Sequence, residues 1–207
     1  MKQINYTALG DSLTVGAGSL TKAGFVEQYS TLLQYNFRLP VRTQTFAKRG
    51  IPSATLLHMI YSTPQIRQSI FHADIITISI GGNDLLQANK KFKKVNNQIV
   101  FQEAYDIYQK NIQAIVQEIK KIKATSNKKY TIQFIGLYNP LPQLHYSNYW
   151  VQAFNQFLHS LQSEHVKYVD LYYNFRQQGK SVLQFGIHPN GRGHSIIANS
   201  LVYSIIH

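Results

Sequence analysis

The stretch YTALGDSLTVGAG, residues 6–18, decides the fold because it leads from a strand pattern directly into a turn that carries a serine. Apolar residues between Ile4 and Leu9 predict a short buried strand, which Gly10-Asp11-Ser12 breaks with residues suited to a tight turn. We expect Ser12 at the carboxyl end of this strand, where open α/β sheets bind ligands, with a helix behind it that directs N–H groups to the same place. Ser12 is therefore a candidate nucleophile; the alternative is that it only caps the helix.

Strand and helix patterns alternate along the rest of the chain. Further strands are predicted over 41–47, 74–80, 130–137 and 166–171, and helices over 25–37, 53–61, 102–123, 149–161 and from 190 onward. This alternation predicts an α/β fold, a three-layer α/β/α sandwich with a parallel sheet of about five strands. We expect a single domain over residues 1–207, and the chain is long enough to bury a full core. The least regular stretch is 85–101, interpreted as a surface loop or, alternatively, as a mobile flap beside the active site.

The chain is strongly basic, with 21 lysines and arginines against nine aspartates and glutamates and a formal net charge of +12 at pH 7. Such a charge attracts anionic polymers, membrane surfaces or acidic substrates. The basic residues cluster in KKFKK at 90–94 and between Lys120 and Lys129 rather than in one stripe. The pattern favours a solvated basic surface that can associate with anionic surfaces, and no specific nucleic-acid partner is expected.

Four short motifs follow one another along almost the entire chain. They are GDSL at 10–13, KRGI at 48–51, GGND at 81–84 and HPN at 188–190. With these motifs the chain resembles the SGNH, or GDSL, hydrolase family. The resemblance implies a flavodoxin-like α/β/α fold and a serine esterase or lipase that hydrolyses carboxylic esters.

Acyl transfer needs a nucleophile, a base that takes its proton, and donors aimed at the oxyanion of the tetrahedral intermediate. The resemblance implies that Ser12 is the nucleophile and His188 the general base. It also implies an oxyanion hole made of the backbone N–H groups of Ser12 and Gly50 and the side-chain amide of Asn83. His194, six positions after His188, is the competing histidine, expected in the first turns of the last helix.

The acid of the triad is missing from its usual place. In the family an aspartate usually stands three residues before the histidine, and here that position is Phe185, whose ring we expect to be buried. Asp170, at the end of the fifth strand, is the nearest alternative carboxylate by topology, and Asp84 is less favoured; Asp11 is expected to support its turn. The favoured interpretation is a Ser–His dyad in which a backbone carbonyl accepts the Nδ1–H of His188, which makes a weaker base.

Neither a cofactor nor a metal is expected. The sequence has no cysteine, and its eight histidines lack a metal-ligand spacing. No apolar run is long enough to span a bilayer, and the first strand begins within a few residues of Met1. As it stands the sequence predicts a cytoplasmic protein; an extracellular or surface-anchored protein whose leader has been removed is the alternative.

Three functions remain open at this point. The favoured one is a serine ester hydrolase acting on esters of small alcohols, lysophospholipids or acylated sugars. The second is a catalytically impaired protein of the same fold that binds an acylated or anionic ligand, and the third is a basic module that binds cell-wall polymer or nucleic acid. The joint presence of Ser12, Gly50, Asn83 and His188 argues for the first, with the walls of the substrate pocket expected in 85–101 and 139–149.

Overall fold

The computed structural model of the protein describes residues 2–19, 23–126 and 128–206. Its strands are β1 (Ile4–Gly10), β2 (Val41–Ala47), β3 (Ile75–Ser79), β4 (Thr131–Ile135), β5 (Val166–Val169), β6 (Leu183–Gln184) and β7 (His188–Pro189). Its helices are α1 (Phe25–Phe37), α2 (Ser53–Ser62), α3 (Pro64–His72), α4 (Gly82–Val95), α5 (Ile99–Ala124), α6 (Ser147–Ser160), α7 (Tyr172–Gln178) and α8 (Gly191–Ile206). In the part of the chain so described, no helix is long and apolar enough to cross a bilayer.

The main sheet has five strands in the order β2-β1-β3-β4-β5, and every pairing in it is parallel. The predicted parallel sheet of about five strands is confirmed. The chain leaves β1 toward β2 on one side and returns to β3 on the other, so the order reverses beside β1. In open α/β sheets, ligands bind at such a point, outside the carboxyl ends of the strands.

Helices cover both faces of the sheet, and the alternation of side chains along each strand assigns them to two cores. On one face, Leu9 and Ile78 pack with apolar residues of α2, α3, α5 and α6. On the other face, Tyr6 and Ala8 pack with residues of α1, α7 and α8. The predicted three-layer α/β/α sandwich is therefore confirmed.

The stretch predicted to be irregular, 85–101, is mostly helical, and this expectation was wrong. Residues up to Val95 belong to α4, and α5 begins at Ile99. Leu85, Ala88 and Phe92 recur at helical spacing and form a satellite core with α5 and α6. The apolar stripe is narrow because lysines and amides fill the rest of the segment, which weakens its periodicity in the sequence.

Gly10 ends β1 at a place where no side chain fits. A Cβ there would lie 2.4 Å from Ser79 Oγ and 2.6 Å from Thr14 Oγ1. Both hydroxyls are already bonded to each other, at 2.7 Å. The missing Cβ lets the ends of β1 and β3 approach closely, and this approach sets the position of the turn that follows.

His194, in the first turn of α8, joins three segments in the interior. Its side chain is fully buried; Nδ1 accepts the backbone N–H of Phe25 at 3.1 Å, and Nε2 lies 3.1 Å from the carbonyl oxygen of Ala17. Because Nδ1 accepts a hydrogen bond, the neutral ring with a proton on Nε2 fits this environment. Burial lowers the pKa of His194 in the folded protein.

We predict that His194 contributes a fall in the free energy of unfolding on acidification below about pH 6.5, the usual pKa of histidine, which the raised pKa values of the buried Asp11 and Asp84 oppose. The unfolded chain then binds a proton that the folded His194 resists, so protons favour unfolding. In His194→Gln, which keeps a donor and an acceptor but does not titrate, the decline should be smaller. Denaturant unfolding of both proteins at a series of pH values measures it; equal pH dependence would contradict the prediction.

Candidate active site

Three loops meet at the carboxyl ends of the parallel strands, and the β6–β7 hairpin lies beside them. Ser12 follows β1, Gly50 follows β2 and Asn83 lies in the first turn of α4 after β3. His188 belongs to the β6–β7 hairpin, and its Nε2 lies 3.2 Å from Ser12 Oγ. Residues 176 positions apart in sequence thus form a hydrogen-bonded pair in which a serine can pass its proton to a histidine.

The loop behind Ser12 is not the predicted helix. Residues 12–18 form successive turns, closed by hydrogen bonds such as the one from the Ala17 N–H to the Ser12 carbonyl at 3.0 Å, and α1 begins only at Phe25. The turn is opened instead by Asp11, whose Oδ1 accepts the N–H of Leu13 at 3.0 Å. Ser12 therefore caps no helix.

Two backbone donors in neighbouring loops have no acceptor among the described residues. Among the described residues, the N–H groups of Ser12 and Gly50 form no hydrogen bond. Gly50 has φ of +77°, a left-handed conformation in which glycine is favoured. Free N–H groups on two adjacent loops are what an oxyanion site requires.

Asn83 is held between the loops after β1 and β2. Its Nδ2 donates to the carbonyl oxygen of Ile51 at 3.0 Å and to Asp11 Oδ2 at 3.3 Å. These two hydrogen bonds fix the orientation of the amide. The longer one, to Asp11, is the weaker. An oxyanion formed at Ser12 would compete with Asp11 for this donor.

Asp11 is buried and acts as an acceptor for the surrounding loops. Besides Leu13 and Asn83, it accepts the hydroxyl of Ser79 at 3.1 Å. Burial raises the pKa of Asp11 to about 6, against the lowering effect of the hydrogen bonds from Leu13 and Ser79. The structure thus places Asp11 as a support of the turn, in the position expected from the sequence, and pairs it with Asn83 rather than with His188.

Asp84 has a structural role that the sequence did not indicate. Its carboxylate accepts the backbone N–H of Ser53 at 2.9 Å and the Ser53 hydroxyl at 2.6 Å, at the start of α2. Asn111, on α5, donates to the same hydroxyl at 2.9 Å. Asp84 therefore ties α4 to α2, and with them the loop that carries Gly50, instead of serving His188.

No carboxylate of the described residues orients His188. Apart from the Arg67–Glu118 pair, the described residues contain no ion pair within 4.0 Å, and none of them bonds to His188 Nδ1. The carbonyl partner predicted for Nδ1 is therefore not found in the part of the chain described. Burial, and then the nearby charge of Arg49, lower the pKa of His188.

Asp170 does not reach the histidine. Its Oδ1 accepts the backbone N–H of Tyr172 at 2.8 Å and the hydroxyl of Tyr168 at 3.2 Å, so it initiates α7 on the surface. Asp170 is therefore not the third member of a triad with His188, contrary to the alternative considered from the sequence. A short strand, β5, ends before Asp170, and α7 begins two residues after it.

Phe185 is exposed, contrary to the expectation that its ring is buried. It lies in the three-residue turn between Gln184 and His188, which pair across the hairpin, and its side chain is 68% exposed. Its φ of +52° is unusual for a bulky residue and is better tolerated by Asn or Asp. The hairpin is held instead by the Tyr138 hydroxyl, which donates to the carbonyl oxygen of Ile187 at 2.7 Å.

An apolar cavity of about 140 Å³ opens beside Ser12 and His188. Its walls come from α4, α5, α6 and the loop after β4, and include Leu85, Leu86, Phe101, Leu137, Leu141, Leu144, Trp150 and Val151. Both stretches predicted to form the pocket walls, 85–101 and 139–149, contribute to them. Within the described ranges, no group of three or more His, Asp or Glu side chains could hold a metal ion.

A serine and a histidine in contact at the carboxyl edge of such a sheet, beside free backbone donors and an apolar cavity, define an α/β/α hydrolase. The chain belongs to the GDSL-like lipase/acylhydrolase family, whose pattern matches residues 8–196. It is an ester-hydrolysing enzyme.

Relatives cover nearly the whole chain. It is similar to the spore germination lipase LipC of Bacillus licheniformis, with 35% identity over 201 residues, which span 96% of this chain and 94% of that protein. It is also similar to the solved structure of the lipase Lip_vut3 from a goat rumen metagenome, with 35% identity and a TM-score of 0.92 over 98% of this chain and 97% of that one. The acetylxylan esterase Axe2 of Geobacillus stearothermophilus, 19% identical, shares the fold with a TM-score of 0.71 over 99% of this chain and 96% of that one.

We predict that Asn83→Ala lowers kcat by about 10²–10³-fold with a smaller change in KM, because an oxyanion donor acts mainly in the transition state. Steady-state kinetics on a soluble ester measures the two constants separately. Asn36→Ala, at an exposed asparagine of α1, is the matched control. A change confined to KM would make Asn83 a substrate-binding residue instead.

Proposed function

We propose that the protein is a serine ester hydrolase that removes apolar acyl groups from an alcohol, with Ser12 as nucleophile and His188 as general base. The observation that carries this proposal is the apolar cavity that opens at the Ser12–His188 pair. A serine activated by histidine performs acyl transfer, and an apolar cavity beside it seats the acyl chain.

The reaction follows from the positions of the groups. Ser12 Oγ attacks the ester carbonyl while its proton passes to His188 Nε2, and the negative oxygen is met by the N–H groups of Ser12 and Gly50 and the amide of Asn83. His188 then gives the proton to the leaving alkoxide, which departs as the alcohol. Water, deprotonated by His188, attacks the acyl-enzyme; collapse of this second intermediate returns the proton to Ser12 and releases the carboxylic acid.

The similarity to two lipases supports an acyl group longer than acetyl. Lipases cleave esters of apolar acids, and the walls of the cavity are supplied by leucines and aromatic rings with few polar groups. Trp150 and Phe101 stack with ring centroids 5.6 Å apart, which gives this part of the wall a rigid apolar surface. Such a wall favours methylene groups over a sugar.

We predict that Ser12→Ala lowers kcat/KM on a soluble ester by about 10⁴-fold or more, because nucleophile and base act as a unit. The melting temperature should change little, since Ser12 is only partly buried. A serine-directed phosphonate should label the wild type and fail to label the variant by mass spectrometry. Ser62→Ala, at an exposed serine of α2, is the control; continued labelling in Ser12→Ala would place the nucleophile elsewhere.

We predict that Leu144→Trp, which narrows the cavity, lowers kcat/KM for medium-chain p-nitrophenyl esters by about tenfold or more and affects the acetyl ester little. Each methylene that no longer fits forfeits about 0.8 kcal/mol of burial. The measurement is the ratio of kcat/KM for medium-chain and acetyl esters. Leu32→Trp, at a partly buried leucine of α1, is the control; an unchanged ratio in Leu144→Trp would place the acyl group outside the cavity.

The dyad interpretation depends on the surroundings of His188. With no carboxylate within 4.0 Å, the imidazolium formed during reaction lacks a charged partner in the described chain. Loss of this stabilisation weakens the base, as in a triad whose acid is removed. The position three residues before His188 is exposed and has a backbone conformation that suits aspartate, so an acid can be introduced there at little cost in stability.

We predict that Phe185→Asp raises kcat/KM by about tenfold or more over wild type, because an aspartate stabilises the imidazolium. Phe185→Asn, of equal shape and without charge, is the control and should not show the increase. Thermal melts of both variants verify folding. Equal activity of the Asp and Asn variants would mean that position 185 does not reach His188.

A further inference from the structure

The imidazole of His188 extends from a hairpin that is too short to be stable by itself. β6 and β7 have two residues each, and one of their pairs joins Gln184 to His188. A hairpin of two strands is at best marginally stable in water. The turn between the strands contains two residues with positive φ, Phe185 at +52° and Gly186 at +80°. The position of the proposed base therefore depends on contacts that the hairpin makes with the rest of the fold.

One such contact comes from the loop after β4. The Tyr138 hydroxyl donates to the carbonyl oxygen of Ile187 at 2.7 Å. This oxygen belongs to the peptide unit that contains the nitrogen and Cα of His188, and a peptide unit is planar and rigid. A hydrogen bond to the oxygen therefore fixes the backbone from which the imidazole extends. Burial raises the pKa of Tyr138, so the hydroxyl keeps its proton and remains a donor.

Tyr138 is itself held by two helices. Its ring stacks on that of Phe175 in α7, with the ring centroids 4.4 Å apart and the planes at 18°. The preceding residue, Leu137, is bound twice by the buried Asn155 of α6, which accepts the Leu137 N–H at 2.7 Å and donates to the Leu137 carbonyl oxygen at 2.8 Å. Because α6 and α7 cover opposite faces of the sheet, the tyrosine is fixed relative to both layers of the fold.

The hairpin also packs against the turn that carries Ser12. A Cβ at Gly18 would meet the Pro189 carbonyl oxygen and lie 3.0 Å from His188 Cβ. Such packing prevents the hairpin from approaching the turn any further, whereas the hydrogen bond from Tyr138 opposes movement away from the site. The distance of 3.2 Å between His188 Nε2 and Ser12 Oγ is therefore limited in both directions.

We propose that Tyr138 is a positioning residue that, through the peptide of Ile187, holds the imidazole of His188 within reach of the nucleophile. This inference rests on the proposed function, because it assigns Tyr138 to the base of that reaction. In a triad a carboxylate performs this role at the ring itself. Here the orienting contact is made with the backbone, so it aligns the histidine for proton transfer without bringing negative charge to the imidazolium.

The first test is Tyr138→Phe, which keeps the ring and removes only the hydroxyl. We expect kcat on a soluble ester to fall about tenfold or more while KM changes less than about twofold, because a misplaced base acts on the chemical step. Tyr138 also lines the cavity, so a role in binding the acyl group is the alternative. A positioning role predicts the same loss of kcat for acetyl and medium-chain p-nitrophenyl esters. A loss that lies in KM and grows with acyl length would overturn the proposal.

Tyr29→Phe is the matched control, because the Tyr29 hydroxyl also donates a buried hydrogen bond, to Gln133 Oε1 at 2.6 Å, and this bond joins α1 to β4 instead of holding the hairpin. The control should lower the melting temperature at least as much as Tyr138→Phe and leave kcat within about twofold of wild type. Equal losses of kcat in the two variants would assign the effect to general stability and overturn the proposal. An unchanged kcat in Tyr138→Phe would overturn it as well.

A measurement without substrate separates this inference from the proposed function. In protein labelled with NMR-active isotopes on histidine, the ring signals of His188, assigned by their loss in His188→Gln, report the surroundings and the motion of the imidazole. We expect Tyr138→Phe to shift and broaden these signals and Tyr29→Phe to leave them unchanged. If these changes are seen but wild type hydrolyses no ester, the proposed function fails and Tyr138 keeps its role in placing His188. If wild type hydrolyses esters and Tyr138→Phe changes neither kcat nor the ring signals, only the role of Tyr138 fails.

Discussion

The close approach of β1 and β3 at Gly10 is the constraint on which the rest of the site depends. The hydroxyl oxygens of Ser79 and Thr14 lie only 2.4 and 2.6 Å from the position that a Cβ of residue 10 would take. Any residue other than glycine would therefore push the two strand ends apart. The turn of Ser12 would then separate from Asn83, which is bonded both to Asp11 and to the loop after β2. The relative positions of the three loops of the site therefore depend on Gly10 having no Cβ.

Hydrogen bonds to buried acids then fix the relative positions of these loops. Asp11 joins the turn of Ser12 to Ser79 and Asn83, and Asp84 joins α4 to the first residue of α2. Both carboxylates therefore serve the scaffold, and burial raises the pKa of each. Among the described residues no carboxylate lies within 4.0 Å of His188, and burial and the charge of Arg49 lower its pKa. In the proposed mechanism, catalysis then depends on the donors at the oxyanion more than on the strength of the base.

Residues with strong local patterns made most of the fold predictable. The apolar run at 75–79 and the long amphipathic α5 follow periodicities that depend only on neighbours in sequence. The helix α4 was missed because its apolar stripe is narrow and faces a small satellite core. The pairing of Ser12 with His188 followed from motifs, whereas the role of Asp84 depends on contacts with the distant residue Ser53, which no local pattern encodes.

The walls of the cavity belong to helices and to the loop after β4, whereas Ser12 and His188 lie in a turn and in a hairpin. A substitution in α6 can reshape the cavity, whereas the loop after β4 also supports the hairpin of His188 through the bond from Tyr138 to Ile187. Selectivity and chemistry are therefore separable under mutation. Enzymes of this kind can therefore change the acyl groups they accept through substitutions in the helical layer that lines the cavity. The turn and the hairpin that carry Ser12 and His188 stay under constant selection.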